Sequence, residues 1–212
     1  MLSRPMLKHP VFVALVVLLS VTACDNRKMT PLRDEDMSLG PANAKVTLVE
    51  YASVTCSHCA EFNADIFPQI KAKYIDSGKI RYVYREVLTP PNNVSAAGVL
   101  LARCAGKDNY FKVIDAIMRS QDAMFSDDSG SNAMPTLLTI AKSVGMTEPQ
   151  FNKCITDPEG QTRVNTNDEN YTKVDGVTGT PTFFIDGKLF KRHTGDFGEF
   201  DHKLSTELAK AK

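Results

Sequence analysis

Two thiols in the order Cys56-Ser57-His58-Cys59 are the residues whose types and spacing could do chemistry. They follow an apolar run at residues 46–51 and open a segment with helical spacing, Phe62, Ile66, Ile70 and Tyr74. A strand that hands over to a helix at this point puts Cys56 at a helix start. The first turn of a helix has unpaired N–H groups and the positive end of the macrodipole. A thiolate at Cys56 is stabilised there, which lowers its pKa and makes it the better nucleophile. His58 adds a possible cation and donor beside the same sulfur. A redox dithiol is the chemistry this predicts. Two other readings of C-x-x-C are half a zinc site and a purely structural pair. Zinc needs a second ligand pair at comparable spacing. Cys104 and Cys154 stand alone, and His9, His193 and His202 are scattered, so no metal is expected.

The elements that must position these thiols follow from pattern. Residues 45–53 form a nearly continuous apolar strand, buried on both faces. A helix from Cys56 to about Tyr74 contains Pro68, which predicts a kink. Residues 79–88 form a second strand, rich in β-branched and aromatic types. A short strand near residues 37–39 is possible. After Thr89-Pro90-Pro91 come about 80 helical residues, with Thr147 as an N-cap. The α/β pattern resumes at Thr182-Phe183-Phe184-Ile185. Asp186-Gly187 is a hairpin turn, and Asp196 caps a final helix bearing Phe200, Leu204 and Leu208.

The amino terminus supplies a compartment. Arg4 and Lys8 precede an apolar stretch at residues 11–19, too short for a span of about 20 residues and flanked as in an export signal. Val21-Thr22-Ala23-Cys24 resembles the lipobox of bacterial lipoproteins, in which the cysteine is lipidated. An ordinary signal with a chance cysteine is the alternative. Asp25 resembles an inner-membrane retention signal. Residues 1–23 are then a signal peptide, and residues 24–40 a lipid-anchored, polar tether. The expected location is the bacterial periplasm, anchored to the inner membrane. Disulfides persist there. Cys24 takes lipid, Cys56 and Cys59 form the redox pair, and a structural disulfide is the economical assignment for Cys104 and Cys154. It would close a loop worth about 4 kcal/mol in the chain-entropy model; two buried thiols are the alternative.

The 212-residue chain has as many acidic as basic residues, 25 of each. The first 23 residues hold two basic groups and no acid, so the remainder is slightly acidic. No basic run with interleaved aromatics suggests nucleic acid.

The ordered set of Glu50, Cys56-Ser57-His58-Cys59, a helical insert and Gly179-Thr180-Pro181-Thr182-Phe183-Phe184-Ile185-Asp186-Gly187 resembles the DsbA family of thiol–disulfide oxidoreductases. The resemblance covers about residues 38–210. It implies an α/β thioredoxin fold with an inserted helical domain. The thioredoxin-like parts would be residues 41–90 and 175–212, and the insert residues 91–174. It also implies a cis Thr180–Pro181 bond against the sulfurs, Cys56 as nucleophile and Cys59 as resolving thiol. Glu50 would lie beneath the dithiol and transfer protons; a solvent-edge acid is the other reading. No cofactor is implied. The partners implied are exported client proteins with free thiols and a DsbB-type, quinone-linked membrane oxidase, and the protein would act as a monomer. One departure is Ser57, where family members often have proline. It leaves open a reductase or isomerase with the same dithiol. A periplasmic copper protein using Cys56, His58 and Cys59 is a reading from another class.

Overall fold

The computed structural model describes residues 29–127 and 130–211. The expected export signal and Cys24 lie outside the described residues. No helix among the described residues is long and apolar enough to cross a membrane.

Five strands form one mixed sheet: β1 (Met37–Leu39), β2 (Val46–Ala52), β3 (Ile80–Glu86), β4 (Thr182–Ile185) and β5 (Lys188–Phe190), in the order β1-β3-β2-β4-β5. β2 and β3 run parallel, and β1, β4 and β5 join antiparallel. β2 and β3 are buried along almost their whole length, as continuous apolar strands in the middle of a covered sheet should be. Asp186 (φ 49) and Gly187 (φ 74) take up the left-handed conformations that a two-residue hairpin needs.

Helices cover both faces. α1 (Ser57–Asp65) starts at Cys56 and ends at Ile66. The expected continuous helix to Tyr74 is broken there. α2 (Phe67–Ile70) restarts with Pro68 in its first turn, where proline's missing N–H costs nothing, and a π-helical turn (Lys71–Ile75) completes the segment. Pro68 therefore begins a helix rather than bending one.

Between β3 and β4 stand α3 (Asn92–Cys104), α4 (Lys107–Arg119), α5 (Gln121–Met124), α6 (Ala133–Ser143), α7 (Glu148–Ile155), α8 (Pro158–Glu169) and a second π-helical turn (Asn170–Val174). The small residues of α3 allow close packing: a Cβ on Gly98 would lie 2.9 Å from Val54 and 3.3 Å from Ile117. The insert thus presses directly on the loop that leads into the dithiol. Thr147 starts α7 with a full capping box to Gln150. Cys104 and Cys154 are bonded, joining α3 to α7 with Cα atoms 6.3 Å apart. α9 (Phe197–Lys210) is capped by Asp196 and places Phe200 and Leu204 in the core.

Side chains alternate across the sheet, so each strand feeds two separate cores. Leu48, Ala52, Tyr82, Tyr84, Phe183 and Ile185 pack under α1, α3, α4 and α9. Val49, Tyr51, Val83, Val87 and Phe184 face the other way, towards Tyr171 and Val177.

The tether expected to run to residue 40 stops short of that. The segment from Met29 to Asp36 is docked against this second face, and Asp36 is buried. The cause is Arg85, which is wholly buried. Its guanidinium donates to Asp36 (2.9 Å), the Pro31 carbonyl (2.8 Å) and the Tyr51 hydroxyl (2.7 Å). Asp175 completes the ion pairing at 3.4 Å and accepts from Tyr51 and from the Thr30 N–H, both at 2.6 Å. A buried cation must be paired and hydrogen-bonded, and the polar segment at residues 30–36 supplies the partners.

Candidate active site

β2 delivers the chain to the site, and its last residues are locked by hydroxyls. Ser53 Oγ lies 2.9 Å from Ser95 Oγ, and Thr55 donates to the Thr89 carbonyl at 2.9 Å. The Gln121 amide donates to the carbonyls of Val54 (2.8 Å) and Cys56 (3.1 Å). These four contacts fix where α1 begins. Nothing in the dithiol motif announces them; the hydroxyls flanking it and the Thr89-Pro90-Pro91 break are the faint signal.

Cys56 is the N-cap residue of α1, with extended φ and ψ, and it is half-buried. Cys59, one turn on, is fully buried. Both thiols are free. The Cys56 thiol lies 3.4 Å from the Thr180 carbonyl, which accepts its hydrogen bond. The Thr180–Pro181 bond is cis, as is Pro90–Pro91, which the sequence reading did not foresee. Thr180 and Pro181 are partly exposed beside the sulfur.

The two thiols differ sharply in acidity. Hydrogen bonding from Cys59 is the main cause that brings Cys56 down from 9.0 to about 5. Partial burial opposes it, and the Thr180 side chain and the backbone N–H groups of Cys59 and His58 assist. Burial pushes Cys59 far above the ordinary thiol range, and the bond it gives to Cys56 pushes it further. His58 contributes its backbone N–H, as a helix-start residue does; its ring is exposed.

Glu50 is buried on β2, 2% exposed. Burial pushes its carboxyl from 4.5 to about 8. The Tyr82 hydroxyl, which donates to it at 2.5 Å, and the Arg192 guanidinium both oppose that rise, and Cys56 adds to it. Arg192 stands over the Phe183 ring at 5.0 Å. Neither Tyr82 nor Arg192 stood out in the sequence, because a tyrosine in a strand and an arginine after a hairpin are ordinary.

The arrangement gives one half-buried, acidic thiol and one buried, basic thiol, with a carboxyl group that holds a proton near neutrality. Alkylation of Cys56 in the reduced protein should therefore be half-maximal near pH 5. Because its folded value lies below the unfolded one, Cys56 stabilises the reduced fold fully above about pH 9. That contribution fades as pH falls through about 5. Reactivity measured against pH with a small alkylating agent, and half-maximal near pH 9 instead, would contradict this.

Comparison with known proteins places the arrangement. The family described as Thioredoxin matches residues 33–200. A Rickettsia bellii protein named "Putative protein-disulfide oxidoreductase" is 39% identical over 156 residues, 73% of this chain and 58% of the relative. The chain spans 54–63% of the length of this and four further Rickettsia relatives. "Disulfide bond formation protein D" of Bacillus subtilis is 27% identical, over 80% of this chain and 76% of its own length. Among solved structures, Wolbachia pipientis α-DsbA1 superposes with a TM-score of 0.75 at 29% identity, covering 85% of this chain and 94% of that one. With its mixed sheet, its helical insert and its dithiol at a helix start, the chain belongs to the thioredoxin family, and its fold is similar to that of α-DsbA1.

Proposed function

We propose that this protein is an exported dithiol oxidase that introduces disulfide bonds into folding client proteins. The observation that carries the reading is the asymmetry of the two thiols: Cys56 is half-exposed and acidic, and Cys59 is buried and basic.

In the oxidised form a client thiolate attacks Cys56 Sγ. The Cys56–Cys59 bond breaks, a mixed disulfide forms at Cys56, and Cys59 leaves as a thiolate. Its high affinity for a proton calls for an acid nearby, and Glu50 is the donor. A second client thiolate then attacks the client sulfur of the mixed disulfide. Cys56 leaves as the stabilised thiolate, and the client departs with a disulfide. Two electrons have passed to the protein. The backbone N–H of His58 stabilises the leaving thiolate, and Thr180 and Pro181 form the wall against which the client backbone lies. The Cys104–Cys154 bond serves to hold the insert together.

A stabilised Cys56 thiolate favours the reduced form, which makes the disulfide oxidising. A DsbB-type membrane oxidase would return the electrons to quinone. A lipid on Cys24, holding the protein to the periplasmic face of the inner membrane, would keep both in one plane. The relative named for disulfide bond formation supports this direction.

Equilibration of the purified protein with glutathione tests it. The expected potential lies well above the roughly −270 mV of thioredoxin. A value at or below thioredoxin's would favour a reductase and sink the oxidase reading.

A further inference from the structure

One long side chain of the insert reaches the backbone of the dithiol loop. Gln121 opens α5, directly after α4, and is 8% exposed. Its amide nitrogen donates to two carbonyls on either side of Thr55, those of Val54 (2.8 Å) and Cys56 (3.1 Å). A carbonyl only accepts, so both bonds must come from the NH2 group, and the contacts themselves fix which way the amide points.

The two carbonyls differ in what else they hold. The Cys56 carbonyl is the first acceptor of α1 and already takes the N–H groups of Cys59 and Ala60, both at 3.1 Å. Val54 is wholly buried, and its carbonyl has no other donor among the described residues. A buried carbonyl without a donor is costly. Gln121 therefore fills a need that the strand-to-helix junction leaves open, and it does so from a separate part of the chain.

The same bond bears on the sulfur. Cys56 has φ −88° and ψ 120°, which set its sulfur beside the N–H groups of His58 and Cys59. The torsion ψ carries the carbonyl, so an amide that pins the Cys56 carbonyl also pins ψ. Hydrogen bonds to a charged acceptor are strong, and they weaken steeply as their angle degrades. An amide bound to the Cys56 carbonyl also polarises the Ser57 N–H of the same peptide, at the positive end of α1.

We propose that Gln121 is a positioning residue for thiol–disulfide exchange: by holding the Val54 and Cys56 carbonyls it keeps the first-turn N–H groups of α1 on the Cys56 sulfur, so that the insert sets how strongly the disulfide oxidises. The inference rests on the dithiol chemistry proposed above. Gln121 makes no hydrogen bond to either sulfur and acts through the backbone. The titratable groups that face the Cys56 sulfur are Cys59 from α1, Glu50 from β2 and Tyr84 from β3. All of them stay in place when Gln121 is replaced.

Gln121→Met tests the role. Methionine is similar in length and a good helix former, but it donates to neither carbonyl. Two readings are taken on the full protein: the Cys56 thiolate titration by ultraviolet absorbance, and the potential by equilibration with glutathione at pH 7. The titration should move up by about one pH unit, a tenfold weaker hold on the thiolate. The disulfide should become less oxidising by about 30 mV, the same tenfold change for a two-electron couple. Gln121→Asn is the milder variant. It keeps an amide but is one methylene too short to span both carbonyls, and it should shift both readings the same way. Ile117→Val loosens the neighbouring turn of α4 without touching either carbonyl and should leave both readings at parent values. Parent-like titration and potential in the Gln121 variants, even with an easier urea transition, would overturn the positioning role. Equal shifts in Ile117→Val would assign the effect to packing and overturn it as well. A parent protein that fails to equilibrate with glutathione would bring down the dithiol reading itself, and the role of Gln121 with it.

Discussion

Cys56→Ser should abolish thiol exchange, leaving client oxidation at the rate of the control without protein. The serine hydroxyl keeps the N-cap geometry of α1, since serine is a preferred N-cap residue, so the loss cannot be assigned to unfolding. What is removed is the thiolate, which is the nucleophile and the leaving group. Cys59→Ala should give the opposite phenotype. Cys56 would still be acidic and half-exposed, still able to form mixed disulfides, yet with no buried thiol to resolve them. Client proteins linked through Cys56 should accumulate and be released by reductant. Non-reducing electrophoresis of both variants separates the outcomes. Mixed disulfides trapped equally by both variants would exclude Cys56 as the attacking sulfur. None trapped by Cys59→Ala would exclude the exchange mechanism altogether and favour a metal-binding role for the motif.

The second large effect is on stability. Arg85→Ala should cost about 3–5 kcal/mol, the range for removing one partner of a buried ion pair. The reason is what stays behind. Asp36 and Asp175 have side chains 2% and 0% exposed, and both would remain buried with no cation. Protein stabilities are only about 5–15 kcal/mol in total, so the variant should approach the edge of folding. Its urea midpoint should fall steeply, and residues 29–36 should become the first segment cleaved by protease. A loss within about 1 kcal/mol, the level of an exposed pair, would mean that water reaches the network. Because the partners all lie on the face away from the dithiol, the Cys56 titration of the surviving folded fraction should be unchanged.

The parts of the fold legible in the sequence are those set by neighbours in the chain. The dithiol at a strand-to-helix junction, the Asp186-Gly187 hairpin, the Thr147 and Asp196 caps and the apolar strands all follow from local pattern. The lateral contacts do not. Arg85 looks like a polar residue in an apolar strand, and its partners lie 49 and 90 positions away. Without them, residues 29–36 look like a free tether. Tyr82 and Arg192 become part of the site only because β3 and the segment after β5 converge on Glu50. His58 shows the converse: its ring, the obvious feature in sequence, is exposed, and the peptide N–H that every residue has does the work. Within the expected helical stretch, residues 158–174 show only weak periodicity, because α8 buries only Gly160, Val164 and Asn167. A helix touching the core at so few points leaves too little apolar pattern to read.

β3 places Tyr82, Tyr84 and Glu86 on one side and Val83, Arg85 and Val87 on the other. Neighbours in the chain are therefore strangers in energy, separated by the thickness of the sheet. The odd side carries the buried Arg85 ion pairs, and the even side carries the tyrosine that donates to Glu50 beside the dithiol. Substitutions can tune one property with little interference from the other, but a single insertion or deletion would exchange the two sets at once.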